Sequence, residues 1–361
     1  MTSSPLHLSI VVPVRNASST LAAALTAIRA SELERDRYEL IVVDDASSDS
    51  SATIAARYAD VVVRLNGRYS GPAYARNRGA ELAKGDIVAF VDADVVVEPD
   101  TISRMISRLC AEPEIAGVSA THDDRDGDSN FVSEYWNLVL RFGEVRYAHG
   151  QAHFTSGCSA VRRHALTAAG MYDEWRFSTR GLGGLELGRR LHERGSMLVL
   201  DPTVKVRHLT RWTIRSICKE VWRRSSTLAR SLGYQRTRAN VPSEVVFTLS
   251  RALTPIAAVT AILIFAGAFL PRLSISSEVA VAVTALLLTN SSMHAFFARS
   301  RGFAFAAAAA PIHICAQVVS AAALCTGWIL RDAIGDVAPD PVTQAYSEVG
   351  VQTWPPIPRR L

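Results

Sequence analysis

The residues of this chain that could do chemistry are mainly carboxylates, and they sit directly behind apolar runs. Asp92-Ala93-Asp94 follows Ile87–Val91. Side chains at i and i+2 of an extended strand point the same way, so these two carboxylates are expected side by side at a strand end. Hard oxygen ligands suit Mg2+ or Mn2+, which keep several waters and take phosphate oxygens as further ligands. A cation held there would neutralise a diphosphate and stabilise it as a leaving group. A solvated turn or a helix cap would use the same pair. Asp44-Asp45, with Ser47, Ser48 and Asp49, closes a second apolar run. Its carboxylates can accept hydrogen bonds from a base N–H or from ribose hydroxyls, while Ser48 or Asp49 also suits the cap of a following helix. Arg76 and Asn77, in the string ARNRG, offer a fork for phosphate or a surface ion pair.

The elements that must position these residues alternate. LSIVVPVRN at 8–16 reads as a short buried strand, and SSTLAAALTAIRAS reads as a helix with a Ser cap and Leu21, Leu25 and Ile28 on one face. YELIVVDD begins a second strand at 38, SATIAARYA a second helix, and DVVVRL a third strand at 60–65. GPAYARNRGAELA enters another helix, and DIVAFVDADVVV at 86–97 reads as a fourth strand that ends in carboxylates. Strands alternating with helices predict an α/β protein with a parallel, doubly wound sheet. Ligands of such sheets bind at the carboxyl ends of the strands, so Pro13–Asn16, Asp44–Asp49 and Asp92–Asp94 are expected to converge on one crevice. No GxGxxG follows the first strand, which disfavours a dinucleotide fold, and no GxxxxGK[ST] indicates a P-loop.

Together these strings resemble the family 2 inverting glycosyltransferases, whose GT-A fold is a doubly wound mixed sheet. The matching strings are VVPVRN, ELIVVDDASSDSS, GPAYARNRGAELAKGDIVAFVDADVVVEPD and TSGCSAVRRHALTAAGMYDE, in family order over about residues 8–210. The resemblance implies a nucleotide-sugar donor of UDP or GDP type and a divalent metal, Mg2+ or Mn2+. It implies that Pro13, Arg15, Asn16, Asp44, Asp45, Arg76, Asn77 and Asp92 line the donor pocket. Asp92 and Asp94 would hold the metal diphosphate. His208, in VKVRHLTRWT, resembles a late family histidine that completes the metal site, although a histidine at a strand end needs no such role. The acceptor half departs from the pattern. Where the family reads Glu-Asp-x-(Asp/Glu)-Leu, this chain has Gly183 and Gly184 followed by Glu186 and Leu187. In the family that Asp is the usual general base, and glycine cannot accept a proton. Glu186, or Asp173 or Glu174, would then be the base; Glu186 also suits an ion pair with Arg189 or Arg190. Alternatively the acceptor is an ionised polyprenyl phosphate that needs no base, or the chain is a non-catalytic sugar-nucleotide binder. The expected reaction is a single in-line displacement with inversion.

Charge is segregated along the chain. Residues 1–243 read as the transferase domain, while residues 244–330 hold four arginines, two glutamates and no lysine. Ala252–Leu270, Val279–Ala298 and Gly302–Leu330 are uncharged stretches of 19, 20 and 29 residues, which predicts about three membrane helices. Pro311 would kink or shorten the third. Residues 331–361 read as an irregular tail. Ten Lys/Arg against Glu220 alone occupy residues 205–238, just before the apolar region. That block suits anionic lipid head groups, or simply a solvated helix obeying the positive-inside bias. It predicts a cytoplasmic catalytic domain on a multi-pass protein of the inner (plasma) membrane, with a lipid-linked or glycan acceptor and no nucleic acid. Five cysteines without CxxC spacing indicate neither a zinc site nor a disulfide framework, and the N-terminus shows no signal-peptide pattern.

Overall fold

Eight strands form one mixed sheet in the order β3-β2-β1-β4-β7-β6-β8-β5. In chain order they are β1 (Leu8–Val14), β2 (Tyr38–Asp44), β3 (Val61–Arg64), β4 (Ile87–Val91), β5 (Val95–Val97), β6 (Ile115–His122), β7 (Cys158–Arg162) and β8 (Met197–His208). The helices among them are α1 (Leu21–Arg29), α2 (Ser51–Tyr58), α3 (Pro72–Leu82), α4 (Thr101–Ala111), α5 (Phe131–Tyr147), α6 (Arg163–Ala168) and α7 (Gly183–Glu193). After β8 come α8 (Ile214–Gln235), α9 (Ser291–Arg301) and α10 (Phe303–Ile334). This computed structural model describes residues 8–65, 71–123, 130–147, 154–155, 157–174, 182–235 and 290–334. The predicted stretch Ala252–Leu270, residues 279–289 of the second stretch, and the tail beyond Ile334 lie outside them.

The sheet is mixed rather than wholly parallel. Strands β3, β2, β1 and β4 run parallel, as alternation with helices requires, but β7 runs antiparallel to both β4 and β6, and β5 antiparallel to β8. The parallel half is buried on both faces, which is why LSIVVPV, ELIVVD and IVAFV read as unbroken apolar runs. One face carries Ile10, Val12, Leu40 and Val42 against Leu21, Leu25 and Ile28 of α1. The other carries Val11, Ile41 and Val43 under α3. Gly79 lets α3 come that close: a Cβ there would lie 2.3 Å from Val11 Cγ1.

Two local expectations are corrected. The run 86–97 is not one strand: Asp92-Ala93-Asp94 is the turn between β4 and β5, so the two carboxylates do not share a face of an extended strand. The cause is tertiary, because β4 pairs with β1 and β7 while β5 leaves to pair with the end of β8. The predicted Ser cap of α1 is also absent. Thr20 holds the N-cap position with no side-chain cap bond, and its hydroxyl instead donates to the Ala93 carbonyl at 3.0 Å, tying α1 to that turn. Before α2 the N-cap position falls to Ser50 with no side-chain cap bond, while Asp49, one residue earlier, accepts the Ser51 N–H at 3.0 Å.

The chain divides into two units, one including Met1–Gly127 and Gly143–Thr210, the other Asp128–Phe142 and Arg211–Val337. In the second, α8, α9, α10 and the start of α5 enclose an apolar cluster that includes Tyr135, Trp136, Ile217, Met293 and Phe297. Gly327 of α10 meets α8 so closely that a Cβ would lie 2.8 Å from the Ser226 carbonyl oxygen. Among the described residues, one helix is long and apolar enough to cross a membrane, Phe303–Leu330. It runs unbroken through Pro311 and on to Ile334, four residues into the predicted tail.

Candidate active site

The carboxyl ends of β1, β2 and β4 meet at one edge because parallel register leaves no choice. Val14 pairs with Asp44, and Asp44 with Arg64. The chain leaving β1 is stitched to the turn after β2: Arg15 Nη1 donates to the Asp45 carbonyl at 2.8 Å, and the Asn16 N–H to Ser47 Oγ at 3.0 Å. Asn16 adopts a left-handed backbone at φ +48°, and its side-chain oxygen accepts the Ser48 N–H at 2.8 Å. Pro13 lies inside β1, where it pairs with Val43. Asp44 is fully buried. Its Oδ1 accepts the Ser47 N–H at 3.2 Å, whereas its Oδ2 has no hydrogen-bond partner and faces Arg64 Nε at 3.5 Å. Asp45 Oδ2 accepts the Gly71 N–H at 3.0 Å, at the start of α3. A buried carboxylate oxygen without a donor is costly unless a ligand supplies one.

The β4–β5 turn forms the second wall. Arg76, buried in α3, donates from Nη2 to Asp92 Oδ1 at 2.5 Å and lies 5.4 Å from the centroid of the Tyr172 ring. Burial works against the Arg76 charge, but Asp92, Tyr172 and Asp94 together outweigh it and raise the pKa. Asp94 accepts a hydrogen bond from Thr210 Oγ1. Pairing of Val95 with His208 brings the end of β8 against this turn, where His208 Nδ1 stands 4.0 Å from Asp94 Oδ1. Gly157 completes the corner. A Cβ there would sit 3.6 Å from His208 Nε2 and 3.9 Å from Asp92 Oδ2, so its absence keeps the space between them open. Burial, and secondarily His122, depress the His208 pKa against the opposing pull of Asp94 and Asp92; neutral imidazole is the form that binds metals.

Among the described residues no three His, Cys, Asp or Glu side chains close into a metal cage. The donor chemistry nonetheless fits Mg2+ or Mn2+. Such ions retain waters and bind through one or two protein ligands plus substrate phosphates, and Asp92, Asp94 and His208 offer that partial set.

The residues behind the site have other partners. Asn77 donates to the Tyr172 carbonyl at 2.9 Å and to Glu174 Oε1 at 2.7 Å, and accepts the Tyr172 N–H at 3.0 Å. It therefore pins the 172–174 segment behind Arg76. Glu174 also meets Arg78 at 3.2 Å. Glu186 lies buried in the first turn of α7 and is held by Arg190, whose Nε and Nη2 each reach it at 2.8 Å, with Arg189 at 3.4 Å. Arg190 further donates to the carbonyls of Ala169 and Met171. Glu186 is thus the keystone of a helix-to-loop joint, with its side chain committed to Arg189 and Arg190.

Residues 9–169 match the model of the family described as glycosyl transferase family 2. Over these residues the chain is similar to that family. A pre-mycofactocin glycosyltransferase of Mycobacterium tuberculosis is 30% identical over 224 residues, 59% of this chain and 45% of that protein. An undecaprenyl-phosphate 4-deoxy-4-formamido-L-arabinose transferase of Pseudomonas fluorescens is 32% identical over 175 residues, 45% of this chain and 49% of that protein. The chain spans about half the length of these curated relatives. A mannosyltransferase of Pyrobaculum calidifontis, solved with GDP-Man and Mn2+, superposes with a TM-score of 0.62 at 20% identity, covering 85% of this chain and 87% of that one. The domain thus has the GT-A arrangement of its sheet. Sequence reasoning missed Gly157, Thr210, His122 and Tyr172 in this domain. Only His122 and Thr210 left any signal, as polar residues closing the strand runs of β6 and β8.

Proposed function

We propose that this protein moves a sugar from a nucleoside-diphosphate donor to a lipid-linked or cell-envelope acceptor, with inversion and with a divalent cation. The observation that carries this reading is the meeting of Asp92, Asp94 and His208 at the same sheet edge as the buried Asp44, whose Oδ2 accepts no hydrogen bond. Asp44 Oδ2 is matched to a donor N–H or hydroxyl of the nucleoside, and the loop of Arg15 and Asn16 to its base and ribose. Asp45, through the Gly71 N–H, fixes the start of α3 and with it Arg76. Arg76 fixes Asp92, while Asp94 and His208 supply the remaining protein ligands to Mg2+ or Mn2+. The cation, when bound, neutralises the diphosphate as it leaves. The GDP-Man and Mn2+ of the Pyrobaculum mannosyltransferase are consistent with this donor chemistry.

A phosphate acceptor is the more specific reading, favoured by Glu186. Its two oxygens already accept from Arg190 and Arg189, so both are engaged in an ion pair within the fold. Gly183 and Gly184 offer no substitute. An ionised polyprenyl phosphate attacks without a base, and the Pseudomonas relative is named for undecaprenyl phosphate. Phe303, Trp328 and Ile329 on α10 are exposed apolar side chains, as a helix against lipid requires, and support a membrane-bound protein; the ten Lys/Arg of residues 205–238 favour a cytoplasmic catalytic domain. The test is release of UDP or GDP from a panel of sugar nucleotides with Mn2+, with and without polyprenyl phosphate. Release that depends on polyprenyl phosphate and is lost in Asp94→Ala is expected. Absence of release from every donor would leave a binding protein instead.

A further inference from the structure

His208 does not stand alone at the site; its orientation is built from behind. β6 ends at His122, which pairs with Val206 of β8. Residues 206 and 208 of a strand point to the same face, so the His122 ring meets that of His208 diagonally. The two rings stack with centroids 4.5 Å apart and planes 12° from parallel. His122 is in turn clamped by Glu144 of α5, which is 6% exposed: Oε1 lies 2.6 Å from His122 Nδ1, and Oε2 accepts the His122 backbone N–H at 2.8 Å. Two hydrogen bonds from one carboxylate fix both the backbone and the ring plane of His122. A flat stacked neighbour then restricts rotation of the His208 ring about its long axis, leaving its two nitrogens toward Asp94 and toward the Gly157 opening.

We infer that Glu144 and His122 are positioning residues that hold the His208 ring in the plane needed to ligate the divalent cation. This inference rests on the metal reading of Asp94 and His208 given above. Outer-shell groups that orient a ligating histidine change metal affinity about 10- to 100-fold when removed. Both residues bear on His208, which faces Asp94, so their effect is expected on the cation.

The experiment measures Mn2+ binding to full-length protein in detergent by electron paramagnetic resonance, with UDP or GDP present, alongside the thermal midpoint. His122→Ala and Glu144→Gln are expected to raise the Mn2+ half-saturation about tenfold. His122→Phe keeps the flat face without the Glu144 link and is expected to fall between them and the wild type. Comparable thermal midpoints, and recovery of turnover at high Mn2+, separate positioning from loss of fold. Wild-type half-saturation in both His122→Ala and Glu144→Gln would overturn the inference while Asp94→Ala still loses Mn2+. Wild-type protein that binds no Mn2+, or Asp94→Ala binding it normally, would overturn the metal reading and this inference with it.

Discussion

Each side chain at the crevice is held by a partner that a substitution can remove. Gly157 leaves open the space between His208 and Asp92. Gly157→Ala introduces contacts of ordinary van der Waals length, so the fold is expected to survive while donor turnover falls at least tenfold; equal turnover would show that the space is unused. Glu186 makes the opposite case. Its Arg190 pair is largely buried, and removing one partner of such a pair costs on the order of 3 kcal/mol. Glu186→Ala is therefore expected to lower the unfolding midpoint. Glu186→Gln, with one oxygen still accepting from Arg190, is expected to keep most of the transfer rate if the acceptor is a phosphate. A loss of several orders of magnitude in Glu186→Gln at unchanged stability would mark it as the base. Cys158 lies behind Asp92, and burial, with Asp92 adding to it, pushes its thiol up to about 12. The thiol therefore stays protonated at pH 8, and iodoacetamide should modify it only after unfolding, as peptide mass spectrometry would report.

Among the elements, α3 and the β4–β5 turn carry the most consequence. α3 brings Arg76 to Asp92 only because Gly79 lets it approach β1. Gly79→Ala would press a methyl group into Val11, and overpacking of this kind costs about 1–3 kcal/mol. The expected result is a lower denaturation midpoint in urea, together with weaker nucleotide binding as α3 shifts. Asp173 and Glu174 are the other carboxylates offered as the base, yet Asn77 and Arg78 tie Glu174 and the Tyr172 carbonyl to α3. The local role of this segment is to hold Tyr172 beneath Arg76. The hydroxyl of Tyr172 is buried without a hydrogen-bond partner, and burial raises its pKa despite the opposing Arg76 charge.

At the scale of the whole molecule, the question is what α10 touches. Only 28% of its most apolar stretch is buried within the protein, and a core helix of a soluble protein would bury far more. Cys110 and Cys315 are both exposed on the protein surface, but Cys315 lies within Phe303–Leu330. In sealed membranes opened on the catalytic side, a charged maleimide is expected to label Cys110 and not Cys315, which should react only after denaturation. Prompt labelling of Cys315 would show that the helix is not in lipid.

The sequence by itself determined the parallel half of the sheet, since unbroken apolar runs bounded by turns admit few other arrangements. It also determined that Asp44, Asp92 and the loop after β1 share one edge, because in-register parallel strands end together. The apolar length of Phe303–Leu330 is likewise a property of composition. Tertiary structure decided the rest. The turn at Asp92–Asp94, the reversal of β7 and the arrival of His208 beside Asp94 all depend on pairings between residues from about seventy to more than one hundred positions apart, and no local pattern encodes such partners. For Glu186 the helical spacing already offered Arg189 or Arg190 as an ion-pair partner beside the role of base, and the fold made the Arg190 pair; the stacking of His122 on His208 under Glu144 left no such local sign. The side chains are the same in either environment, and only their neighbours in space decide whether a carboxylate is a base, a brace or a ligand.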